Sequence, residues 1–260
     1  MFIANIIQIR YDDVHINEKH MGFDVLFLDI ILRYDVHINE KHISIIYFIG
    51  RVARMKGIFI SMEGPDGSGK STQIELIKKY LEEKGYEIII TREPGGTRIS
   101  EAIREIILNK DYTEMNYMTE ALLYASARAQ LVSEVIKPAI ESGKAVISDR
   151  FVDSSAVYQG MARGLGIDNV YKMNEFAIQG MMPDLTIHLD LPASVGIARK
   201  KNQAELDRME RESIEFHEMV AEGYRKLAAL DSKRIHSIDA TQPVEEINAQ
   251  IISEIEQLLM

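Results

Sequence analysis

The sequence of 260 residues contains no cysteine and no long apolar run. Without cysteine the chain can form neither a disulfide nor a thiolate metal site, and this fits a reducing, cytoplasmic compartment. No apolar stretch approaches the roughly 20 residues that a membrane helix requires, so we expect no membrane partner. The N-terminus carries no basic stretch followed by an apolar core, and no secretory signal is therefore predicted.

Positive charge is also scarce, because 30 Lys and Arg stand against 40 Asp and Glu, which gives a net charge of −10. An overall electrostatic attraction to nucleic acid is therefore not expected, and any polyanionic ligand must be bound by a local cluster of cations. A hydrophobic content of 46% is ample for a buried core. The length allows one large domain or two small ones.

A complete G-x-x-x-x-G-K-[ST] loop occupies residues 64–71. It follows a short apolar stretch, 57–62, and precedes residues 72–84, whose apolar side chains have helical spacing. The backbone N–H groups of such a loop surround phosphates, while Lys70 reaches the outer phosphates and Ser71 ligates Mg²⁺. The sequence thus predicts that the chain binds a nucleoside triphosphate. The predicted ATP-binding residues are Gly64, Pro65, Asp66, Gly67, Ser68, Gly69, Lys70, Ser71 and Thr72.

From residue 57 onward, short apolar runs typical of strands alternate with helical patterns. This alternation predicts an α/β fold of the P-loop NTPase type, with a five-stranded parallel sheet flanked by helices and ligands at the carboxyl ends of the strands. Pro192 and Pro243 stand where two of the helices should begin. The predicted strands are 57–62, 88–90, 145–148, 185–189 and 234–238.

Four charged residues lie where they could serve phosphoryl transfer. Arg92 ends the second predicted strand, Asp149 and Arg150 follow the third, and Arg128 lies on a long helical pattern. An attacking phosphate oxygen is already an anion, so the reaction needs alignment and charge neutralisation rather than a general base. Asp149 is placed to hold Mg²⁺ through water. Each arginine taken alone would more often form a surface ion pair, but together they favour a phosphate site.

Beyond these motifs, the basic cluster 199–203 lies between two helical patterns. Two interpretations stay open at this point. The cluster could be a solvated helix end, with cations near the negative end of the helix dipole. Alternatively, it could be a mobile lid that closes over the triphosphate and supplies positive charge.

From Lys56 to the C-terminus the chain resembles the thymidylate kinase family. The match rests on E-G-P-D-G-S-G-K-S-T at 63–72, T-R-E-P-G-G-T at 91–97 and D-R-F-V-D-S-S-A-V-Y-Q-G at 149–160, with support from 205–210 and 239–241. The first of these stretches, the phosphate loop, is common to many NTPases. The second and third stretches, taken together, are highly specific.

The resemblance implies transfer of the γ-phosphate of ATP to dTMP, giving dTDP and ADP for dTTP synthesis, with Mg²⁺ and in a cytoplasmic homodimer. It places Asp66 near the sugar 3′-hydroxyl, Arg150 at the acceptor phosphate and Tyr158 against the 2′ position. Other predicted substrate-binding residues are Arg92 and the members of a base pocket, in which an aromatic ring stacks on thymine. That pocket would contain Tyr124, Arg128, Ser155 and Gln159.

Bacterial-type members of this family lack an arginine in the phosphate loop and carry the cation in the lid. Gly67 fits that type. The resemblance leaves Arg199 or Arg208 as the charge donor, because Lys200, Lys201 and Gln203 stand where relatives are often richer in arginine. Another nucleoside monophosphate kinase of the same fold, or a non-catalytic P-loop switch, remains an alternative.

Residues 1–54 differ from the predicted kinase-like domain, 55–260. Residues 10–20 recur almost unchanged as 33–42, and two copies are too few for a solenoid. Each copy carries an H-x₄-H pair, which could bind a metal, although the duplication alone explains the pairing. We interpret this segment as an extension that chemistry does not require.

We therefore predict that deletion of residues 1–54, so that the chain starts at Met55, leaves turnover nearly unchanged. Every phosphate-handling motif lies after that point, and removal of a segment outside the core costs little stability. The turnover number and the thermal midpoint of the full-length and shortened proteins test this. A several-fold drop in rate, or a loss of several degrees, would show that the extension, for instance through an added strand or helix at 43–49, belongs to the working protein.

Overall fold

Five apolar runs form one fully parallel sheet in the computed structural model, which describes residues 56–200 and 206–260. Each predicted strand is present within one or two residues of its predicted bounds, and the predicted fold class is confirmed. The strands are β1 (Ile58–Glu63), β2 (Ile88–Arg92), β3 (Ala145–Asp149), β4 (Leu185–Asp190) and β5 (Ile235–Asp239).

The strand order β2-β3-β1-β4-β5 brings the ends of three strands side by side. In the register of the sheet Met62 pairs with Asp149, and Asp149 pairs with Arg92. Because the strands are parallel, the loops that follow β1, β2 and β3 all leave from the same edge. The order therefore places the phosphate loop and the motifs at 91–97 and 149–160 together, as expected for ligand sites in such sheets.

Helices cover both faces of the sheet. Two of them begin directly after Pro192 and Pro243, as predicted. The long helical pattern that contains Arg128 is divided, because α3 ends at Leu131 and the chain continues as a π-helical turn, Val132–Ile136. The helices are α1 (Lys70–Glu83), α2 (Arg98–Leu108), α3 (Tyr117–Leu131), α4 (Lys137–Glu141), α5 (Val152–Ser155), α6 (Ile167–Ile178), α7 (Ala193–Lys200), α8 (Ile214–Leu230) and α9 (Val244–Leu259).

The core has two sides because successive side chains of a strand point to opposite faces. Ile58, Ile60 and Met62 of β1 face a cluster formed with α1 and α9. Phe59 points the other way and packs with residues near the end of α3 and with Phe151. Since both faces are buried, the central strand begins with three consecutive apolar residues, 58–60, rather than with an alternating pattern.

Several predictions fall on residues outside the described part of the chain. These are the extension 1–54 with its duplicated segment and the start at Met55, and the lid cluster beyond Lys200. Among the described helices, none combines the length and the apolar character needed to span a membrane.

Two isoleucines of the same sheet offer a matched test of this core. Ile60 of β1 is completely buried, whereas Ile90 of β2 is 41% exposed. We predict that Ile60→Ala lowers the free energy of unfolding by about 2–5 kcal/mol, because it removes buried apolar surface and leaves a cavity. The control Ile90→Ala should cost about 1 kcal/mol or less. Chemical denaturation measures both, and equal losses would contradict the assigned faces.

Candidate active site

A cleft of about 850 Å³ opens at the carboxyl ends of β1, β2 and β3. Most of the predicted site residues line it, whereas Gly64, Pro65 and Arg208 do not. The predicted residues that line the cleft are Asp66, Gly67, Ser68, Gly69, Lys70, Ser71, Thr72, Arg92, Tyr124, Arg128, Asp149, Arg150, Ser155, Tyr158, Gln159 and Arg199.

The phosphate loop has a backbone that requires glycine. Gly64, Gly67 and Gly69 have φ angles of 134°, 77° and 95°, a region that other residues rarely adopt. Gly67 also has no room for a side chain, because a Cβ atom there would lie 2.7 Å from the carbonyl oxygen of Gly196 in α7. The loop therefore curls tightly against α7, and α1 begins at Lys70 with its free N–H groups toward the cleft.

Lys70 lies over the loop and is nearly buried. Its Nζ donates hydrogen bonds to the carbonyl oxygens of Gly64 and Pro65, both at 3.1 Å. Burial, together with the charge of Arg150, lowers the pKa of Lys70 to about 8, against the opposing effect of Asp149 and Asp66. An anion in the cleft would therefore meet an ammonium group that lacks full solvation.

Arg150 connects the loop after β3 to the phosphate loop. Its Nη2 donates to Asp66 Oδ1 at 2.9 Å, and its Nη1 donates to the carbonyl oxygen of Gly64 at 3.0 Å and to the Tyr224 hydroxyl at 3.2 Å. The guanidinium also lies over the ring of Tyr158, 5.2 Å from the ring centroid. A φ of 74° at Arg150 shows that the backbone is held in a left-handed conformation to reach this position.

The residues present fit a magnesium ion. Asp149 Oδ1 is buried and accepts no hydrogen bond from the described residues, so it has capacity for a ligand. Ser71, at the start of α1, is exposed to the same cleft. In the described residues no group of three or more His, Asp or Glu side chains converges. This suits Mg²⁺, which is commonly held by one or two protein ligands together with substrate phosphates.

Arg128 is fully buried and pairs with Glu93. Its other acceptors are Asn174 Oδ1 at 2.5 Å, the carbonyl oxygen of Phe151 at 3.2 Å and Ser155 Oγ at 3.0 Å. Arginine has five N–H groups, and these contacts leave one N–H on Nη1 without an acceptor among the described residues. Burial raises the pKa of Glu93 to about 7 against the opposing charge of Arg128.

The other three predicted arginines occupy different surroundings. Arg92 is half-exposed and pairs with Glu101 at 2.9 Å. Arg199, on α7, reaches the phosphate loop and donates to the carbonyl oxygen of Gly67 at 3.0 Å. Arg208 does not line the cleft, and it pairs with Glu120 at 2.7 Å. Of the two candidate lid cations, the structure brings only Arg199 to the phosphate loop.

Sequence reasoning missed three buried carboxylates around the cleft. Glu63 ends β1, Glu93 follows β2, and Glu120 lies in the first turn of α3; all three are nearly or fully buried. The signal was available, because Glu63 and Glu93 stand inside the motifs, and acidic residues are rarely buried unless paired. What the sequence does not show is which donors each carboxylate meets.

Comparisons with known proteins agree with this geometry. The sequence profile of the family described as "Thymidylate kinase" matches residues 62–251. Proteins named thymidylate kinase from Geobacillus thermodenitrificans (strain NG80-2) and Geobacillus sp. (strain WCH70) are 50% and 54% identical over 201 residues. These matches cover 76% of this chain and 89% and 96% of the relatives. The crystal structure of thymidylate kinase from Ehrlichia chaffeensis is 28% identical with a TM-score of 0.61, and covers 76% of this chain and 98% of that one.

The low pKa of Lys70 predicts a pH dependence of triphosphate binding. A bound triphosphate favours the ammonium form, so binding takes up a proton once the pH exceeds the pKa of about 8 of the free protein. The Kd for ATP should therefore rise, by up to about tenfold per pH unit above pH 8. Calorimetric titrations between pH 7 and pH 10 test this. A flat profile, or the same slope in Lys70→Ala, would contradict the assignment.

Proposed function

This chain belongs to the thymidylate kinase family, and we propose that its cleft aligns ATP and dTMP for direct transfer of the γ-phosphate. The protein is an ATP-dependent nucleoside monophosphate kinase that phosphorylates dTMP to dTDP. The observation that carries the assignment of roles is the contact of Arg150 with Asp66 and Gly64. It joins a cation suited to an acceptor phosphate directly to the loop suited to the donor.

The phosphate loop forms the donor half of the site. Its backbone N–H groups and the start of α1 surround the phosphates of ATP, and Lys70 contacts the outer ones. The ammonium group of Lys70 now bonds two loop carbonyls, and it exchanges them for phosphate oxygens when ATP binds. Lys70 then neutralises charge that develops on the transferred group.

The loop after β3 forms the acceptor half. Arg150 binds the phosphate of dTMP, and its planar guanidinium can hold two oxygens at once. Asp66, fixed by Arg150, lies where the sugar 3′-hydroxyl would be accepted. Tyr158, under the same guanidinium, crowds the 2′ position and disfavours ribose. Since a phosphate oxygen attacks directly, none of these residues has to remove a proton.

The base pocket lies deeper in the cleft. Tyr124 stacks on thymine, and Ser155 and Gln159 line the pocket. Arg128 is positioned by Glu93, and its one N–H that has no acceptor among the described residues can bond a base carbonyl. Arg92, at the outer rim, adds positive charge near the phosphates.

Bound Mg²⁺ neutralises phosphate charge, and Ser71 and Asp149 are the residues that would hold it. Among the lid candidates we assign the cation to Arg199, since it already contacts the phosphate loop. Arg208 instead supports the base pocket through Glu120.

A cytoplasmic homodimer is the assembly that we propose. Helix α3 packs against both α2 and α6. The three helices expose large apolar side chains, among them Ile99, Ile106, Leu122 and Phe176, the last of which is 90% exposed. Such a surface is typical of protein interfaces.

An ADP-release assay with dTMP, dUMP, dCMP, AMP and GMP as acceptors tests the function. We expect dTMP to be the best substrate. Preference for another monophosphate would favour a different kinase of the same fold. ADP release that is independent of any acceptor would favour a P-loop switch whose output is conformational.

Lys70→Ala should lower kcat by roughly 10²–10³-fold or more, since it removes an electrostatic contact to the transferred phosphate. Lys79→Ala, on the exposed face of the same helix, is the matched control and should keep normal turnover. Circular dichroism should show an intact fold in both. Near-normal turnover of Lys70→Ala would refute the catalytic role of the loop.

A further inference from the structure

We propose that Glu120 is a positioning residue that fixes the side-chain amide of Gln159 with its carbonyl oxygen toward the acceptor base, and so selects bases that carry an N3–H donor. The inference rests on the proposed function, because it takes the acceptor to be a pyrimidine monophosphate. It concerns thymine and uracil against cytosine, and nothing in the phosphate-handling part of the site supplies that distinction.

Glu120 lies at the centre of a buried polar cluster. Its side chain is completely buried. Oε2 accepts from Arg163 Nη2 at 3.2 Å and forms an ion pair with Arg208 Nη1 at 2.7 Å. Arg163 is itself held by Glu212 at 2.7 Å and lies over the rings of Tyr117 and Phe216. Two guanidinium groups thus pair with one carboxylate, a group that only accepts hydrogen bonds.

The other carboxylate oxygen, Glu120 Oε1, accepts from Arg163 Nε at 3.3 Å and also contacts the base pocket. Gln159 Nε2 donates to Glu120 Oε1 at 3.0 Å. Which branch of a glutamine amide is nitrogen is usually a matter of assignment, but here chemistry decides it. A carboxylate repels the amide oxygen, so the nitrogen must face Glu120. The carbonyl oxygen Oε1 is then forced to the opposite side of the amide.

That oxygen is available to a ligand. Gln159 lines the cleft, and its Oε1 accepts no hydrogen bond from any residue that the structure describes. Arg128 lines the same cleft with one N–H to spare, so the pocket offers an acceptor and a donor. Thymine and uracil carry an N3–H donor next to a carbonyl acceptor and match this pair. Cytosine carries the reverse pattern, an N3 acceptor next to an amino donor. Its acceptor would face the carbonyl oxygen of Gln159, and its donor would face the N–H of Arg128.

Removing the negative charge of Glu120 should release the amide. In Glu120→Gln the new side chain can accept or donate, so Gln159 can turn and offer its NH₂ group to the base. We expect the ratio of kcat/KM for dTMP to that for dCMP to fall by about tenfold or more, the effect of one misdirected hydrogen bond. The fall should come chiefly from a higher KM for dTMP. An equal loss for both substrates would indicate a merely structural role and overturn the proposal.

Two further variants sharpen this test. Glu212→Gln disturbs the same Arg163 without touching Gln159, and it should leave the ratio unchanged. Gln159→Ala removes the amide that contacts the base. In the double variant, Glu120→Gln should therefore change the ratio by less than about twofold relative to Gln159→Ala alone. If Glu120→Gln lowers the ratio equally in that background, Glu120 does not act through Gln159.

The wild-type protein provides an independent measurement should the Glu120 variants fail to fold. With ¹⁵N labelling, the side-chain NH₂ signals of Gln159 can be identified by their loss in Gln159→Ala. We expect these protons to exchange slowly with solvent before dTMP is added, because they are bonded to a buried carboxylate. Rapid exchange would overturn the proposal. Failure of the wild-type protein to phosphorylate any monophosphate would instead refute the proposed function, and the exchange measurement would still decide the role of Glu120.

Discussion

The buried carboxylate of Glu63 is the contact on which the geometry of the site depends. It ends the central strand and accepts from the backbone N–H of Phe151 at 2.7 Å, from the Ser154 hydroxyl at 2.5 Å and from the Tyr224 hydroxyl at 2.9 Å. These donors belong to the segment after β3 and to α8. One side chain thus fixes the acceptor half of the site against the strand that leads into the donor half.

Such an arrangement costs free energy before any substrate binds. Burial raises the pKa of Glu63, and the charge of Asp153 adds to this. The carboxylate is tolerated because several donors satisfy it, and an unpaired acceptor at that depth would be far more destabilising. Two other buried carboxylates near the cleft are likewise satisfied by donors. Glu93 pairs with Arg128, and Glu120 pairs with Arg163. The polar site is thereby made rigid, which spares the protein from ordering its side chains when the substrates arrive.

The sequence predicted the backbone elements of this site better than the contacts among its buried side chains. Apolar runs and glycine positions predicted the five strands and the phosphate loop, because periodicity and left-handed φ angles leave local signals. The resemblance to the family then predicted that Tyr158 and Gln159 lie at the substrate site, and both line the cleft. The partners of Arg128 and Arg208 could not be predicted, since they lie 23 or more residues away in the chain. Pairings at that range follow from packing and not from spacing. The split of the long helix at Leu131 likewise has no marker in its composition.

The contact between the phosphate loop and α7 limits which sequences can build this site. A Cβ atom at Gly196 would lie 2.4 Å from the carbonyl oxygen of Asp66, and one at Gly67 would meet Gly196 in turn. Two backbones so close leave no room for a side chain on either. The two positions consequently form a single unit for protein engineering, although more than a hundred residues separate them. A library that varies one of them gains no usable diversity, and space for a bulkier nucleotide analogue must be sought on the other wall of the cleft.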